Sequence, residues 1–547
     1  MQRAKLFSGA LTWLLLTLFT VPVAIAQTES LAELGGQLAS AKLRKVPPIL
    51  QQLEQQGGVK VLPLFEAMLA GQLYTSRADK ALLILGDEKG NDTGIFAISD
   101  AFTGETRTPV TKTSLKKIKV NNKLRKELRR AIARMTLFSD DPKLRESAVS
   151  NMLQNLNDEN IVLLEKAAAQ ETSPRVSKKI ELALNIVKLD SVNDTQRLAA
   201  IDALRNSVEP AVRNRLQQLL EQDAEGNYIE GNSSIVIAAE QALRNIDSKL
   251  SFYGFLERVF FGLSLGSVLL LAAIGLSITF GVMGVINMAH GELLMLGAYT
   301  TYVIQLLMPN HIGVSVFVAI PAAFIVCGLV GIAIERGVIQ FLKGRPLETL
   351  LATFGISLIL QQTVRSIFSP LNRQVSTPEW MSGALEINAG LSITYNRLYI
   401  IIFSLFVFTL LLLVMKKTAL GLYVRAVSQN RDMAKAVGIR SEWVDAMTFG
   451  LGSGIAGVAG VALSQLTNVG PNLGQAYIID SFMVVVFGGV GNLWGTLVAA
   501  FSLGTFSKFM EPLTGTVLAQ IFVLVFIVLF IQKRPQGLFP QKGRAAE

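Results

Sequence analysis

A single cysteine, Cys327, excludes an intrachain disulfide and a thiolate metal site in this 547-residue chain. Only two histidines, His290 and His311, are available for imidazole chemistry, so no metal centre is expected. No Gly-Lys-Ser or Gly-Lys-Thr occurs, which excludes a Walker-type phosphate loop. If the protein uses ATP energy, another chain must hydrolyse it. The net charge is +10, yet no basic stripe with interleaved aromatics is found, so nucleic acid is not an expected partner. The densest basic run, Lys112–Arg134, reads as the solvated face of a helix. No nucleophile, base and orienting group recur at useful spacing, so a catalytic site and a cofactor are not expected either.

What is present falls into two unlike parts. Residues 27–250 carry 31 Lys and Arg against 29 Asp and Glu, a balanced soluble composition. From Ser251 onward the chain is mostly apolar. Before both, Met1–Ala26 has Arg3 and Lys5, an apolar run, and Ala24-Ile25-Ala26 as a small-residue cleavage pattern. This predicts a secretory signal peptide, with an uncleaved anchor as the alternative.

The soluble part is expected to be mainly helical. Short apolar runs at Leu82–Leu85 and Ile95–Ile98, bounded by turn residues, predict a small β-element near residues 80–113. Beyond Leu124, Pro142, Pro174 and Pro210 each open an apolar-periodic helix. Their spacing of roughly 30–36 residues suggests a HEAT-like solenoid, with a generic helical bundle as the other reading.

The apolar part predicts an all-α polytopic membrane domain over residues 251–547. About nine segments approach the ~20 residues needed to cross a bilayer. They are Phe255–Val282, Gly291–Met308, Val314–Ile339, Leu350–Phe368, Leu398–Met415, Ala446–Leu466, Ile478–Val490, Leu493–Phe509 and Val517–Ile531, of which Ile478–Val490 is short. Basic residues crowd three places: Lys343 and Arg345, then Lys416–Arg440, then Lys533–Arg544. With alternating crossings these share one side, which the positive-inside rule makes cytoplasmic. Residues 27–250 then lie outside, in the periplasm of a bacterial inner membrane, and the C-terminus inside.

The membrane part is organised around Ile274–Leu296, where four glycines interrupt an apolar run that also holds Asn287, His290 and Glu292. Charges in hydrocarbon are expensive and usually face a bundle interior or a pathway. A second Gly-broken run, Val484–Phe501, centres on Asn492. Paired broken segments in two halves point to a transport path at a repeat interface. The plainer reading is tight packing with polar bridges between helices. Gly450–Gly460 reads as packing alone. Lys416–Trp443 is basic and amphipathic, either a solvated loop or a helix that docks on a partner.

Three motifs decide between these readings. Gly421-x-x-x-Arg425-Ala426, Asn430-Arg431-Asp432 and Ala436-x-Gly438-Ile439 resemble the coupling loop of ABC permeases of the branched-chain amino acid (LivH) type. Asn287-x-Ala289-His290-Gly291-Glu292 resembles that family's first-half motif, although Phe is commoner there at the position of Met288. Phe487-Gly-Gly-Val-Gly-Asn492-Leu-Trp-Gly495-Thr496 resembles its second-half motif. The resemblance covers about Gly254–Phe539. It implies an importer subunit that works with a second permease subunit, ABC ATPase subunits and a periplasmic solute-binding protein in the lipid bilayer. It also implies coupling through Gly421, Arg425, Ala426, Arg431, Asp432, Ala436 and Gly438.

A long secreted extension before the permease resembles the urea-transporting branch of the family. Urea is neutral, with two NH2 groups and a carbonyl, so its path needs dipoles. Asn287, Gln361, Gln362 and Asn492 fit that chemistry, and His290 and Glu292 complete the expected path. A branched-chain amino acid would prefer charges, which Glu292, Arg365 and Asp480 supply. Both substrates stay open on composition, as does a passive urea or amide channel.

Overall fold

The computed structural model describes residues 22–539, apart from Ala78, the segment 87–94 and Asn155. Most of the signal-peptide expectation therefore lies outside the described residues. Two compact units divide at Ser248 and Lys249.

The first unit opens with α1 (Pro22–Ser40), α2 (Val46–Gly57) and α3 (Leu62–Ala70). A five-stranded antiparallel sheet follows: β1 (Leu73–Ser76), β2 (Leu82–Leu85), β3 (Ile95–Asp100), β4 (Thr106–Thr111) and β5 (Leu115–Lys117), in the order β4-β3-β2-β1-β5. It is larger than the expected β-element. It takes Lys116 and Lys117 out of the basic run read as helical, because Thr75 and Tyr74 pair with them. The helix α4 begins only at Asn122 and ends at Thr136. Asn121 caps it by accepting from Leu124 N at 2.8 Å. Leu53, Leu64, Phe65, Leu73 and Leu128 form the fully buried core beneath.

Five helices come next: α5 (Pro142–Met152), α6 (Asp158–Gln170), α7 (Pro174–Lys188), α8 (Asp194–Leu204) and α9 (Pro210–Gln218). Pro142, Pro174 and Pro210 each stand in a first turn, where the missing N–H costs nothing. One device holds this stack twice. Arg145 forks onto Glu171 at 2.8 Å while donating to the Ser139 carbonyl at 2.7 Å. Arg197 forks onto Glu230 while donating to the Leu189 carbonyl at 3.0 Å.

The helix α10 (Ser233–Met283) carries the first apolar span. The second unit continues with α11 (His290–Leu307), α12 (Ile312–Gly337), α13 (Pro346–Phe368), the hairpin β6 (Ala384–Asn388) and β7 (Leu391–Thr394), and α14 (Tyr395–Lys417). Two short helices, α15 (Ala419–Gln429) and α16 (Arg431–Ala436), lead into α17 (Ser441–Ser464). The unit closes with α18 (Leu473–Gly488), α19 (Leu493–Thr514) and α20 (Thr516–Lys533).

All nine apolar segments predicted from sequence lie largely in helices. Among the described residues six helices are long and apolar enough to cross a membrane alone: α10, α12, α13, α14, α17 and α20. The other three, α11, α18 and α19, flank the two Gly breaks: α18 is apolar but only 16 residues long, and polar residues dilute the apolar run in α11 and α19.

The bundle is built around α17, whose apolar window is 89% buried, against 17% for α20. Small residues make this possible. A Cβ on Gly454 would lie 2.7 Å from the Phe324 ring, and one on Gly457 2.6 Å from the Ala323 carbonyl. The Gly450–Gly460 run is thus a helix-packing surface, which is how small residues act in membrane bundles.

Candidate functional site

The first break starts where α10 ends. Gly284 has φ +66°, a left-handed conformation that lets the chain turn out of the helix. Residues 284–289 then run non-helically until α11 begins at His290. The Met288 N–H donates to Thr353 Oγ1 of α13 at 3.2 Å, so the broken backbone is partly satisfied by a neighbouring helix.

Asn287, His290 and Glu292 are all buried here. Asn287 Oδ1 accepts from Ala289 N at 3.0 Å. His290 Nε2 lies 2.9 Å from the Ala272 carbonyl of α10. A carbonyl only accepts, so Nε2 carries the proton and Nδ1 is left as an acceptor. Glu292 Oε1 accepts from Ser357 Oγ at 3.0 Å and from Gln361 Nε2 at 2.9 Å. Asn287 Nδ2, His290 Nδ1 and Glu292 Oε2 find no partner among the described residues. A buried polar atom left unpaired costs roughly 1–3 kcal/mol, so three within six positions of chain mark a place maintained for something other than stability.

Of the expected path residues, the structure brings Glu292 and Gln361 into contact, with Asn287 and His290 on the same break. It does not bring Gln362 to them. One residue along a helix is about 100° around it, and Gln362 is exposed while Gln361 is buried. Asn492 serves the second break instead. Its Oδ1 caps α19 by accepting from Gly495 N at 3.1 Å, and its Nδ2 donates to the Phe539 carbonyl at 3.2 Å. Ser357 and Thr353 were not among the expected path residues. They stand four and eight residues before Gln361, about one and two helical turns, a spacing that keeps them near its face.

The second break follows α18, with Gly489 at φ +103° and Gly491 at φ +78°. The carbonyls of Phe487 and Gly488 accept from Leu538 N at 2.9 Å and Phe539 N at 3.2 Å. Thr496 Oγ1 donates to Ser277 Oγ of α10 at 3.0 Å. A Cβ on Gly281 would stand 2.5 Å from Gly491 Cα. The second break therefore packs on the last turn of α10, from which the first break departs.

At the same end of the bundle as the two breaks, α15 and α16 form the segment read as a docking loop, with Val424, Val427 and Ala434 in one apolar cluster with Val282 and Phe487. Gly421 lies against the backbone of Met415, and Arg425 Nη1 donates to the Met415 carbonyl. The Ala426 carbonyl accepts from Asn430 N at 3.1 Å, closing α15. Asn430 caps α16 by accepting from Met433 N at 2.9 Å. Gly438, with φ +88°, ends it, donating its N–H to the Lys435 carbonyl at 3.0 Å. Asp432 and Ala436 are exposed, as are Met433, Val437 and Trp443. This places apolar side chains on an otherwise polar surface.

Arg431 turns inward. Its guanidinium grips Asp445 of α17 at 2.7 and 3.1 Å. Asp445 is fully buried and also accepts from Lys343 Nζ at 2.8 Å. Lys343 Nζ in turn lies 3.3 Å from Glu335, a second fully buried carboxylate, at the end of α12. Glu335 and Asp445 were not expected from sequence, because Lys343 and Asp445 are 102 positions apart.

The family described as "Branched-chain amino acid transport system / permease component" matches residues 258–531. The chain is 30% identical over 298 residues to the high-affinity branched-chain amino acid transport system permease protein LivH of Salmonella typhimurium, covering 52% of this chain and 96% of that protein. It is 28% identical over 296 residues to BraD, a permease protein of the same kind of system from Pseudomonas aeruginosa, with 52% and 96% covered. A probable LivH of Methanocaldococcus jannaschii is 28% identical over 269 residues, with 48% and 82% covered. No solved structure matches.

Proposed function

This chain belongs to the permease family of the branched-chain amino acid transport system, and from that premise we propose that the solute it carries is urea. It is the permease subunit of an ABC transporter, a transport component and not an enzyme. In the proposed cycle a periplasmic binding protein delivers the solute at the outer ends of α13 and α17. Separate ATPase subunits act on the exposed face of α15 and α16, and a second permease subunit completes the membrane part. Residues 27–250 lie in the periplasm and the C-terminus in the cytoplasm.

The observation that carries the urea reading is the first unit. The matched relatives are covered almost to their full length by little more than half of this chain, so the soluble unit is an addition to what they share. The buried cluster serves either solute, since Ser357 and Gln361 bring neutral dipoles and Glu292 a carboxyl group. The amino acid reading is favoured by the names of the relatives. Uptake of labelled urea and labelled leucine in cells with and without this chain, with all partners present, separates the two. Loss of urea uptake alone is the expected result. Loss of leucine uptake alone refutes the urea reading, and urea entry that persists without the ATPases makes the protein a passive channel.

A further inference from the structure

The outer end of α17 borders an open polar cavity. It has a volume of about 360 Å³ and is lined in part by Gln374 and Thr377 of the α13–β6 loop and by Ser464, Gln465, Thr467 and Asn468. The lining has no ionisable side chain among the described residues. The loop is fastened on both flanks. Arg373 and Val469 exchange backbone hydrogen bonds at 2.7 and 2.9 Å, and the Gln305 carboxamide exchanges two with Ser376 at 2.8 and 2.9 Å. The adjoining cation Arg373 is spent elsewhere: its guanidinium donates to the Phe368 carbonyl at 2.8 and 3.2 Å and lies over Tyr302.

Within this lining Gln465 is only 5% exposed. Its Nε2 donates to Ser464 Oγ at 3.2 Å, but its Oε1 has no partner among the described residues. A buried acceptor kept unpaired beside a cavity of neutral dipoles is suited to a ligand that brings N–H donors and no charge.

Beneath the cavity lies an apolar cluster of Met295, Ala298, Tyr299, Val364, Val375 and Val469. Met295 stands three residues beyond Glu292 on α11, and Val364 three beyond Gln361 on α13. At 1.5 Å per residue the cluster sits about one turn further out than the Glu292–Gln361 contact. The order inward is thus a neutral polar cavity, an apolar plug and the buried polar break.

We infer that this cavity is a reception site for a small neutral amide, in which Gln465 Oε1 accepts an N–H of the incoming solute before the Tyr299–Val469 plug opens. The inference rests on the urea reading and deepens it. A zwitterion would meet no counter-charge here, so the cavity also selects against amino acids at the point of entry.

The test uses the whole transporter with its partner subunits in vesicles, loaded by its own binding protein and supplied with labelled urea. Gln465→Met removes the acceptor at similar bulk, and Thr467→Val removes a hydroxyl from the wall. One neutral hydrogen bond corresponds to about a three- to tenfold effect. Urea uptake should fall by that factor in Gln465→Met and by less in Thr467→Val, with stimulated ATP hydrolysis within about twofold of wild type. Wild-type uptake in both variants overturns the site while leaving the urea reading intact. A wild-type transporter that moves leucine and not urea overturns the urea reading itself. If Gln465→Met loses uptake and hydrolysis together, Thr467→Val decides: a selective uptake defect supports the site, and none overturns it.

Discussion

The Asp445 carboxylate is the single group whose loss should separate ATP hydrolysis from transport. It is buried in α17 and holds both Arg431 of α16 and Lys343 of the α12–α13 connection. Removing one partner of a buried ion pair costs roughly 3–5 kcal/mol, because the other charge is stranded. Here the stranded cation is Arg431, which is 32% exposed and regains water, while Lys343, 28% exposed, keeps Glu335 at 3.3 Å. The cost of Asp445→Asn is accordingly discounted to about 1–3 kcal/mol. Near the middle of that range the undocked fraction of α16 rises about 30-fold, since 1.4 kcal/mol is a factor of ten. The assay is solute moved per ATP hydrolysed by the assembled transporter in vesicles. Asp445→Asn should keep most of its hydrolysis and lose about tenfold or more of its transport per ATP. Arg431→Met should do less, because Asp445 keeps Lys343. The two changes should not add, since they remove one contact. Unchanged transport per ATP in Asp445→Asn refutes the reasoning, as does additivity within about 0.5 kcal/mol in a double-mutant cycle.

Three further outcomes are expected. Gly281→Ala forces a Cβ onto the Gly491 backbone and should destabilise by about 1–3 kcal/mol. Gly355→Ala meets nothing within 4 Å and should be neutral or stabilising, so equal melting temperatures for the two would sink the packing argument. Glu292→Gln keeps an acceptor for Ser357 or Gln361, whereas Glu292→Ala leaves both unpartnered and should lose about 1–3 kcal/mol, read by thermal unfolding in detergent. In the soluble unit the Arg145 guanidinium, aided by the N–H groups of Ser173 and Thr172, holds the Glu171 carboxyl below its ordinary value of 4.5. A depressed carboxyl contributes stability that is present above 4.5 and lost as pH falls through the lower folded value. Proteolytic protection of the α5–α7 region should weaken below about pH 4.5 in wild type, and Glu171→Gln should be less protected at neutral pH with a flatter acid profile. Superimposable profiles would remove Glu171 from the account.

What could be read in advance followed chain-local physics. Apolar runs of span length became helices, and Pro142, Pro174 and Pro210 opened theirs because a first-turn proline loses no hydrogen bond. Asn430 and Gly438 bracketed α16 for equally local reasons. Non-local pairing was not legible. Thr106–Thr111 has no apolar alternation and becomes a strand only because β3 is beside it. Lys112–Lys119 is basic enough for a helix surface, yet part of it pairs with β1. At the site, Asn287 and Asn492 looked alike in sequence. The structure keeps an unpaired Nδ2 on Asn287 and commits both ends of Asn492 to backbone. The Glu335–Lys343–Asp445–Arg431 chain joins four separate segments, so no spacing rule could assemble it.

The backbone contacts made by Leu538 and Phe539 bear on biogenesis. Those two residues leave the ribosome after all of α20, yet they supply the N–H groups that close the Phe487 and Gly488 carbonyls. The second break is therefore complete only once the final helix has inserted and the chain has folded back beneath it. Until then a nascent permease carries the Phe487 and Gly488 carbonyls without these donors, an unfinished seam at the end of α18.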